Sequence, residues 1–291
     1  MPASLSHVPP VTCHSPIGQR APLVFDSPHS GTWFPDDSAL VLARQQLQKL
    51  EDPFVDALFA TAPTFGATLV AAQFARACID PNRAEDDIHA PALSGGWPGQ
   101  SRPTQKALLG VGLVFMRTPD GEALYAEPPT AAVVRARIEQ LYRPYHERLD
   151  AEIASLQRQY GHVWHVNCHS MPSRPGHLLS AVAPRRADFC IGDRHGTSCS
   201  PALTSLIAET LADQGYRVAV NEPYAGVELI RRHGQPLRGR HSVQLEINRD
   251  LYMDEQAHVR HEGFEILQRV LEHLVQTLAA ASLGECSEAA E

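Results

Sequence analysis

Short apolar runs that stop at polar loops alternate along the chain with longer stretches of helical periodicity. The first apolar run, residues 23–25, ends at the Ser-, Pro- and Gly-containing loop 27–31, which is typical of the end of a buried strand. The other predicted strands are 68–72, 76–83, 162–169, 189–194, 217–221 and 242–248. Strands that alternate with helices indicate an α/β domain with a mixed, largely parallel sheet flanked by helices.

The predicted helices carry apolar residues at intervals of three and four. Asp52 followed by Pro53 is a typical helix start, so Asp52 is expected to be an N-cap. The other predicted helices are one capped by Asp37 and Ser38 that ends near Leu50, 128–160, 201–214 with Gly215 just beyond its end, and 255–283.

Two segments are expected to have little regular structure, an N-terminal arm at 1–20 and a long loop excursion at 84–121. The Gly-rich part of the excursion, 94–112, is expected to cover a site as a lid. Because no internal repeat or linker divides the sequence, a single domain of residues 1–291 is predicted.

The composition is ordinary for a soluble globular protein, with 43% hydrophobic and 20% charged residues. A net charge of −8 without a basic stripe argues against a nucleic-acid partner, and no apolar run approaches the ~18 residues that a membrane span needs. Six scattered cysteines without a C-x-x-C pair indicate reduced thiols and a cytoplasmic location. The expected partner is a small molecule, and the oligomeric state stays open.

Polar residues stand at or near the ends of several predicted strands. Each of them alone is more often structural than functional, but parallel strands direct their carboxyl ends to one edge of a sheet, where ligands bind. Repetition of the pattern therefore predicts a site at that edge. The residues concerned are His29, Asn82, Arg83, His169, Asp193, Arg194, Asn221 and Glu246.

Two histidines and a carboxylate are the smallest protein ligand set for a catalytic zinc ion. His29 and His169 form the natural pair, and Asp52 or Asp56 would supply the carboxylate, since the two lie four residues apart on a predicted helix. Asp52 has an alternative role as N-cap. Asp56 is slightly favoured, because a carboxylate on an otherwise buried helix needs a partner.

Glu246 lies on the polar face of an apolar strand, where burial would raise its pKa as a general base requires. The alternative is a salt bridge to Arg240 or Arg249. Arg83 beside Asn82, with Arg76 upstream, offers donors for a carboxylate and for an oxyanion. These residues predict an anionic substrate. A second anion site could involve Arg194, Arg231, Arg232, Arg238 and Arg240.

A serine or cysteine nucleophile is the competing mechanism. The chain contains no G-x-S-x-G motif, and Ser30 and Ser170 each directly follow a histidine, a spacing that favours neither as nucleophile. Cys168 would point to the opposite face of its strand from His169. The metal mechanism is therefore preferred.

Seven segments of the chain together form a recognisable set: Ser27-Pro-His-Ser-Gly31, Asp52-Pro-Phe-Val-Asp56, Ile79-Asp-Pro-Asn-Arg83, Asn167-Cys-His-Ser-Met171, Gly192-Asp-Arg-His-Gly-Thr-Ser198, Asn221-Glu-Pro-Tyr-Ala-Gly226 and Gln244-Leu-Glu-Ile-Asn-Arg249. In sequence and in order, these segments resemble those of the N-formylglutamate amidohydrolase family. The resemblance implies a phosphorylase/hydrolase-like fold related to zinc carboxypeptidases, and zinc-dependent hydrolysis of N-formyl-L-glutamate to formate and L-glutamate in histidine degradation. A deacylase for another N-acyl amino acid, or a non-catalytic binder of acidic amino acids, is the alternative.

The resemblance also implies roles for single residues. Asn82 and Arg83 would hold the substrate carboxylate, Arg76 would polarise the scissile carbonyl, and Glu246 would be the general base. Arg194 and Asn221 are expected to add further substrate contacts. The chain departs from the family pattern at Asn167, where many members carry Asp, at Thr32, where related zinc hydrolases have a Glu ligand, and at Val227 after Gly226, where the family usually has a second Gly.

Overall fold

A mixed seven-stranded sheet lies at the centre of the fold in the computed structural model, which describes residues 8–35, 39–175 and 184–288. Its order across the sheet is β1-β3-β2-β4-β7-β5-β6. These strands are, in chain order, β1 (Val11–His14), β2 (Leu23–Ser27), β3 (Thr68–Ala72), β4 (Val163–Met171), β5 (Phe189–Gly192), β6 (Val218–Val220) and β7 (Arg240–Asn248).

The four neighbouring strands β3, β2, β4 and β7 run parallel, so their carboxyl ends open at one edge of the sheet. Strand β1 is antiparallel to β3, and β5 is antiparallel to β7. Because β6 follows the direction of β5, the carboxyl ends of these two strands point to the opposite edge. The predicted class, a mixed and largely parallel sheet flanked by helices, is confirmed.

Eight α-helices belong to the described residues, and a five-residue π-helical turn, Ile138–Tyr142, joins two of them into one continuous helical segment. None of these helices is long and apolar enough to cross a lipid bilayer. The helices are α1 (Arg44–Gln48), α2 (Val55–Leu58), α3 (Gln105–Leu108), α4 (Ala131–Arg137), α5 (Arg143–Tyr160), α6 (Pro201–Asp213), α7 (Glu228–His233) and α8 (Gly263–Glu288).

The sheet has a core on each face, since alternate strand residues point to opposite sides. Leu23 and Phe25 pack on the face covered by α2, α6 and α8. Val24 packs on the other face, which is covered by α4, α5 and parts of the 84–121 excursion. On this second face Asp26, Asn167 and Gln244 stand side by side across β2, β4 and β7. Polar residues of the strands therefore collect on the α5 face.

Most predicted strands, the long helical stretch before β4 and the helix that ends before Gly215 are confirmed. The predicted strand at 76–83 is wrong, because these residues form successive turns in which the Asp80 side chain accepts a hydrogen bond from the Asn82 amide. The arm 1–20 was expected to be irregular, yet it contains the edge strand β1.

Three predicted helix starts differ from the structure. The helix expected to end near Leu50 is reduced to α1, and its predicted caps Asp37 and Ser38 lie outside the described residues. Helix α2 begins only at Val55, with Phe54 (φ +64°) before it, so Asp52 is not its N-cap. The last helix begins at Gly263 rather than 255, because a hairpin of β8 (Met253–Asp254) and β9 (Val259–Arg260) precedes it.

Candidate metal centre and active site

A cavity of about 770 Å³ lies over the α5 face, where the parallel strands end. Most of the residues predicted from strand ends and from the resemblance line it together, although they come from distant parts of the chain. Asp56, Arg194 and Asn221 are not among its lining residues within the described part of the chain. The predicted residues that do line it are His29, Asp52, Arg76, Asn82, Arg83, His169 and Glu246.

His29, Asp52 and His169 converge at the floor of the cavity. Asp52 Oδ2 lies 3.2 Å from His29 Nδ1 and 2.9 Å from His169 Nδ1. All three side chains are buried, and one ligand atom from each lies within 4.8 Å of the others. Two imidazole nitrogens and one carboxylate oxygen in this arrangement fit the protein ligand set of a catalytic zinc site.

The second ring nitrogen of each histidine faces an acceptor, so Nε2 can keep its proton when Nδ1, which contacts Asp52, gives up its own to bind a metal. His29 Nε2 donates to Asp80 Oδ1 at 2.7 Å, and His169 Nε2 donates to Asn167 Oδ1 at 2.8 Å. Asn82 Nδ2 lies 3.0 Å from His169 Nε2 and donates to the same oxygen, Asn167 Oδ1, at 3.5 Å. Such outer partners fix the tautomer and orientation of metal-binding histidines.

Asn167 links His169 to a buried carboxylate behind it, that of Asp26. Its Nδ2 donates to Asp26 Oδ1 at 2.9 Å, so its oxygen must face His169. His165 Nε2 also donates to Asp26, at 2.8 Å, and so does the Tyr145 hydroxyl. Burial tends to raise the pKa of Asp26, but the charge and hydrogen bond of His165 lower it, which keeps the carboxylate ionised.

The structure identifies Asp52 rather than the favoured Asp56 as the third member of the cluster. Burial tends to raise the pKa of Asp52, but the hydrogen bonds from His169 and His29 hold it well below its usual range. Because α2 starts at Val55, Asp52 and Asp56 do not share a helix face. Asp56 instead lines a separate cavity with His258 and Arg260, where burial raises its pKa.

Glu246 stands beside the cluster, because it pairs in register with His169 across β4 and β7. Its Oε1 accepts a hydrogen bond from Gln244 Nε2 at 2.8 Å, and burial raises its pKa despite the charge of His169. The alternative salt bridges are not formed. Arg240 contacts Gln157 and Arg249 contacts Asp52, and no ion pair among the described residues includes Glu246.

Asp80, which was not among the residues predicted from the sequence, contacts three predicted polar residues of the turns at 76–83 and so helps to hold them at the cavity. Arg76 Nη2 donates to Asp80 Oδ2 at 2.6 Å, and the Asn82 amide donates to Asp80 Oδ1 at 2.8 Å. Asn82 Oδ1 accepts from the Leu229 amide at 2.9 Å, so its Nδ2 faces the histidines. Arg83 Nε lies 3.8 Å from Asp80. The signal for Asp80 was its place inside the segment Ile79-Asp-Pro-Asn-Arg83.

Arg194 and Asn221 were expected at the site, and the structure does not place them there. They follow β5 and β6, which run against β7 and carry both residues toward the opposite edge of the sheet. Asn221 is engaged in a turn, since its Nδ2 donates to Asp193 Oδ1 at 2.8 Å. Four cations that sequence reasoning did not assign to the site line the cavity instead: Lys49, Lys106, Arg186 and Arg249.

The alternative nucleophiles have no support in the described contacts. Ser30 Oγ contacts Ser27 Oγ and the Asp52 carbonyl, and Ser170 Oγ accepts from Arg249 Nε at 3.0 Å, so neither faces a histidine. Cys168 packs in the core on the opposite face, where burial raises the pKa of its thiol well above the usual value. These residues therefore lack the neighbouring base that a nucleophile requires.

Comparisons with known proteins agree on one family. The family model of N-formylglutamate amidohydrolase matches residues 21–253. The curated N-formylglutamate deformylases of Pseudomonas aeruginosa and Pseudomonas putida are each 31% identical over 270 residues, which cover 90% of this chain and 94% and 93% of theirs. The crystal structure of N-formylglutamate amidohydrolase from Ralstonia eutropha JMP134 superposes with a TM-score of 0.91 at 43% identity, covering 96% of this chain and 100% of that one.

Proposed function

Because the chain belongs to the N-formylglutamate amidohydrolase family, we propose that it hydrolyses N-formyl-L-glutamate to formate and L-glutamate. The observation that carries this proposal is the cluster of His29, Asp52 and His169 beside Glu246, inside a cavity lined by cations. The family resemblance further suggests a role in histidine degradation, and the scattered cysteines suggest the cytoplasm.

His29, His169 and Asp52 would hold one zinc ion, which when bound polarises the scissile carbonyl and lowers the pKa of a water molecule. Glu246 would take a proton from the attacking water and return it to the leaving nitrogen as the C–N bond breaks. Its raised pKa suits both steps, because a carboxyl group with a pKa nearer neutrality can accept and then donate. Arg76 would donate to the tetrahedral oxyanion.

The charges of the cavity fit a substrate with two carboxylates. Among the described residues, six cationic side chains line the cavity against two carboxylates, those of Asp52 and Glu246. Arg76 and Arg249 already form short contacts with Asp80 and Asp52. The cations left for the two carboxylates of a substrate are Arg83, Lys106, Lys49 and Arg186. Arg83 with Asn82 Nδ2 would bind one carboxylate, and a neighbouring cation would bind the other.

The test is formate release from N-formyl-L-glutamate by protein of known metal content, before and after chelation. We expect turnover that chelation abolishes and added zinc restores. Protein that holds one zinc ion but releases no formate would refute the substrate, and a panel of other N-acyl amino acids would then identify a different deacylase. Full turnover after complete metal removal would refute the metal mechanism. Tight binding of N-formyl-L-glutamate without hydrolysis of any substrate would indicate the non-catalytic binder.

A further inference from the structure

The π-helical turn between α4 and α5 interrupts a helix whose sequence predicts regular α-helical spacing. The Arg143 amide donates to the Ile138 carbonyl, five residues back, instead of four. Turns of this kind are rare and occur frequently at functional sites. In a regular α-helix, side chains five residues apart point about 140° away from each other, whereas an i→i+5 turn returns them to nearly one face.

Three side chains that the π turn brings to one face all donate to the same segment of backbone. Arg137 Nη1 donates to the Cys78 carbonyl at 3.1 Å. Tyr142, five residues after Arg137, donates from its hydroxyl to the Arg83 carbonyl at 2.8 Å. His146, four residues further on, donates from Nε2 to the Pro81 carbonyl at 3.0 Å. The spacing of five and then four residues requires the π turn.

This face of the helix is fully enclosed. Arg137, Tyr142 and His146 are each about 2% exposed, and the rings of Tyr142 and His146 lie 4.1 Å apart. Burial lowers the pKa of His146 to about 4, so at neutral pH it is an uncharged imidazole whose Nε2–H is the donor that the Pro81 carbonyl needs. The hydrogen bonds are therefore shielded from competing water.

The backbone segment that receives these bonds, 78–83, consists of turns without a strand partner. It nevertheless carries three side chains of the site: Asp80, which orients His29, and the carboxylate-binding pair Asn82 and Arg83. Since the Cys78, Pro81 and Arg83 carbonyls point to the helix, the polar side chains of the segment are free to face the cavity. The position of Asn82 and Arg83 thus depends on the helix behind them.

We propose that Arg137, Tyr142 and His146 are positioning residues that the π turn aligns to hold segment 78–83, and thereby to set the place of Asn82 and Arg83 against a substrate carboxylate. The inference rests on the proposed function for the substrate. The hydrogen bonds that carry it are independent of the substrate. None of the three residues lines the cavity, so they act through the segment they hold.

Tyr142→Phe tests the proposal, with Tyr160→Phe as a matched control. Tyr160 lies on the same helical segment and also donates to a backbone carbonyl, that of Arg20, far from segment 78–83. We expect Tyr142→Phe to raise KM for N-formyl-L-glutamate about three- to tenfold with kcat nearly unchanged, as the loss of one buried hydrogen bond predicts. Tyr160→Phe should leave both constants at wild-type values.

A double-mutant cycle separates positioning from general destabilisation. In an Arg83→Met background the Tyr142→Phe change should raise KM by less than it does in wild type, because one of the two carboxylate-binding groups of segment 78–83 is absent. A purely structural role predicts an additive effect, and that result would overturn the proposal. If Tyr142→Phe does not fold, His146→Gln and His146→Leu replace it, and KM should rise in the Leu variant and recover in the Gln variant, which keeps an N–H donor.

Amide hydrogen exchange gives a readout that does not need turnover. Exchange across 78–83 should be faster in Tyr142→Phe than in wild type and unchanged in Tyr160→Phe. A wild-type protein without turnover would refute the proposed function, and the exchange result would then decide this inference by itself. Unchanged exchange in Tyr142→Phe, or an unchanged KM in an active enzyme, would overturn it.

Discussion

Replacing Glu246 by Gln should separate catalysis from metal binding and from folding. The two side chains have the same shape, and the new amide oxygen can still accept the hydrogen bond from Gln244 Nε2. Glu246 belongs neither to the metal cluster nor to any ion pair among the described residues. The substitution therefore removes the base and little else.

The expected loss in kcat is about 10²- to 10⁴-fold, the usual contribution of a positioned general base, which corresponds to roughly 3–5 kcal/mol of activation free energy. Zinc content should stay at the wild-type level. Relative to wild type, the free energy of unfolding of Glu246→Gln should increase as pH rises through the folded-state pKa of Glu246. Burial raises the pKa of Glu246 in the folded state, so its stabilising contribution is complete below the unfolded pKa and is lost as pH rises through the folded one. Gln does not ionise and avoids this loss.

The assay is formate release together with metal analysis and denaturant unfolding of the same preparations. Glu51→Gln is the matched control, because Glu51 is also a buried carboxyl group whose pKa burial raises, but it does not line the active-site cavity. Turnover of Glu246→Gln within about threefold of wild type would refute the general-base role. Loss of zinc from this variant would refute the assignment of the metal cluster.

Three further predictions follow from the same contacts. Asp52→Asn should weaken zinc binding by more than the roughly 10- to 100-fold that is lost when a hydrogen-bond partner of a metal ligand is removed. Asp56→Asn should bind zinc normally, and equal zinc affinities of the two variants by titration would contradict the geometry. Arg83→Met should raise KM for N-formyl-L-glutamate at least about tenfold by removing a charged hydrogen bond, while Arg194→Met, at the opposite edge of the sheet, should leave steady-state kinetics unchanged. For Glu51, burial raises the pKa to about 7, so its stabilising contribution is present below the unfolded pKa and lost as pH rises through 7. Glu51→Gln should therefore gain about 2–3 kcal/mol of unfolding free energy over wild type between pH 5 and 8, and a pH-independent difference in urea unfolding would show that the carboxyl group titrates normally.

The sequence alone located most of the strands and the residues at their ends. Apolar runs that stop at Pro and Gly are local signals, and so is the alternation that puts His165, Asn167 and His169 on one face of β4. His29, His169 and Glu246 could be selected in this way, because each belongs to a strand of the parallel group or to the loop directly after it. The resemblance added roles to residues that the pattern had already marked.

Only the tertiary structure decided between Asp52 and Asp56, since the choice depends on a helix that begins two residues later than the sequence predicts. Arg194 and Asn221 lie away from the site because β5 and β6 run antiparallel to β7. The sequence of a short strand does not indicate its direction, which only the pairing with β7 determines. Asp26, Asp80 and the π turn likewise gain their roles from partners more than 50 residues away in sequence. Local patterns specify which residues form strands, but packing between distant segments determines which side chains meet.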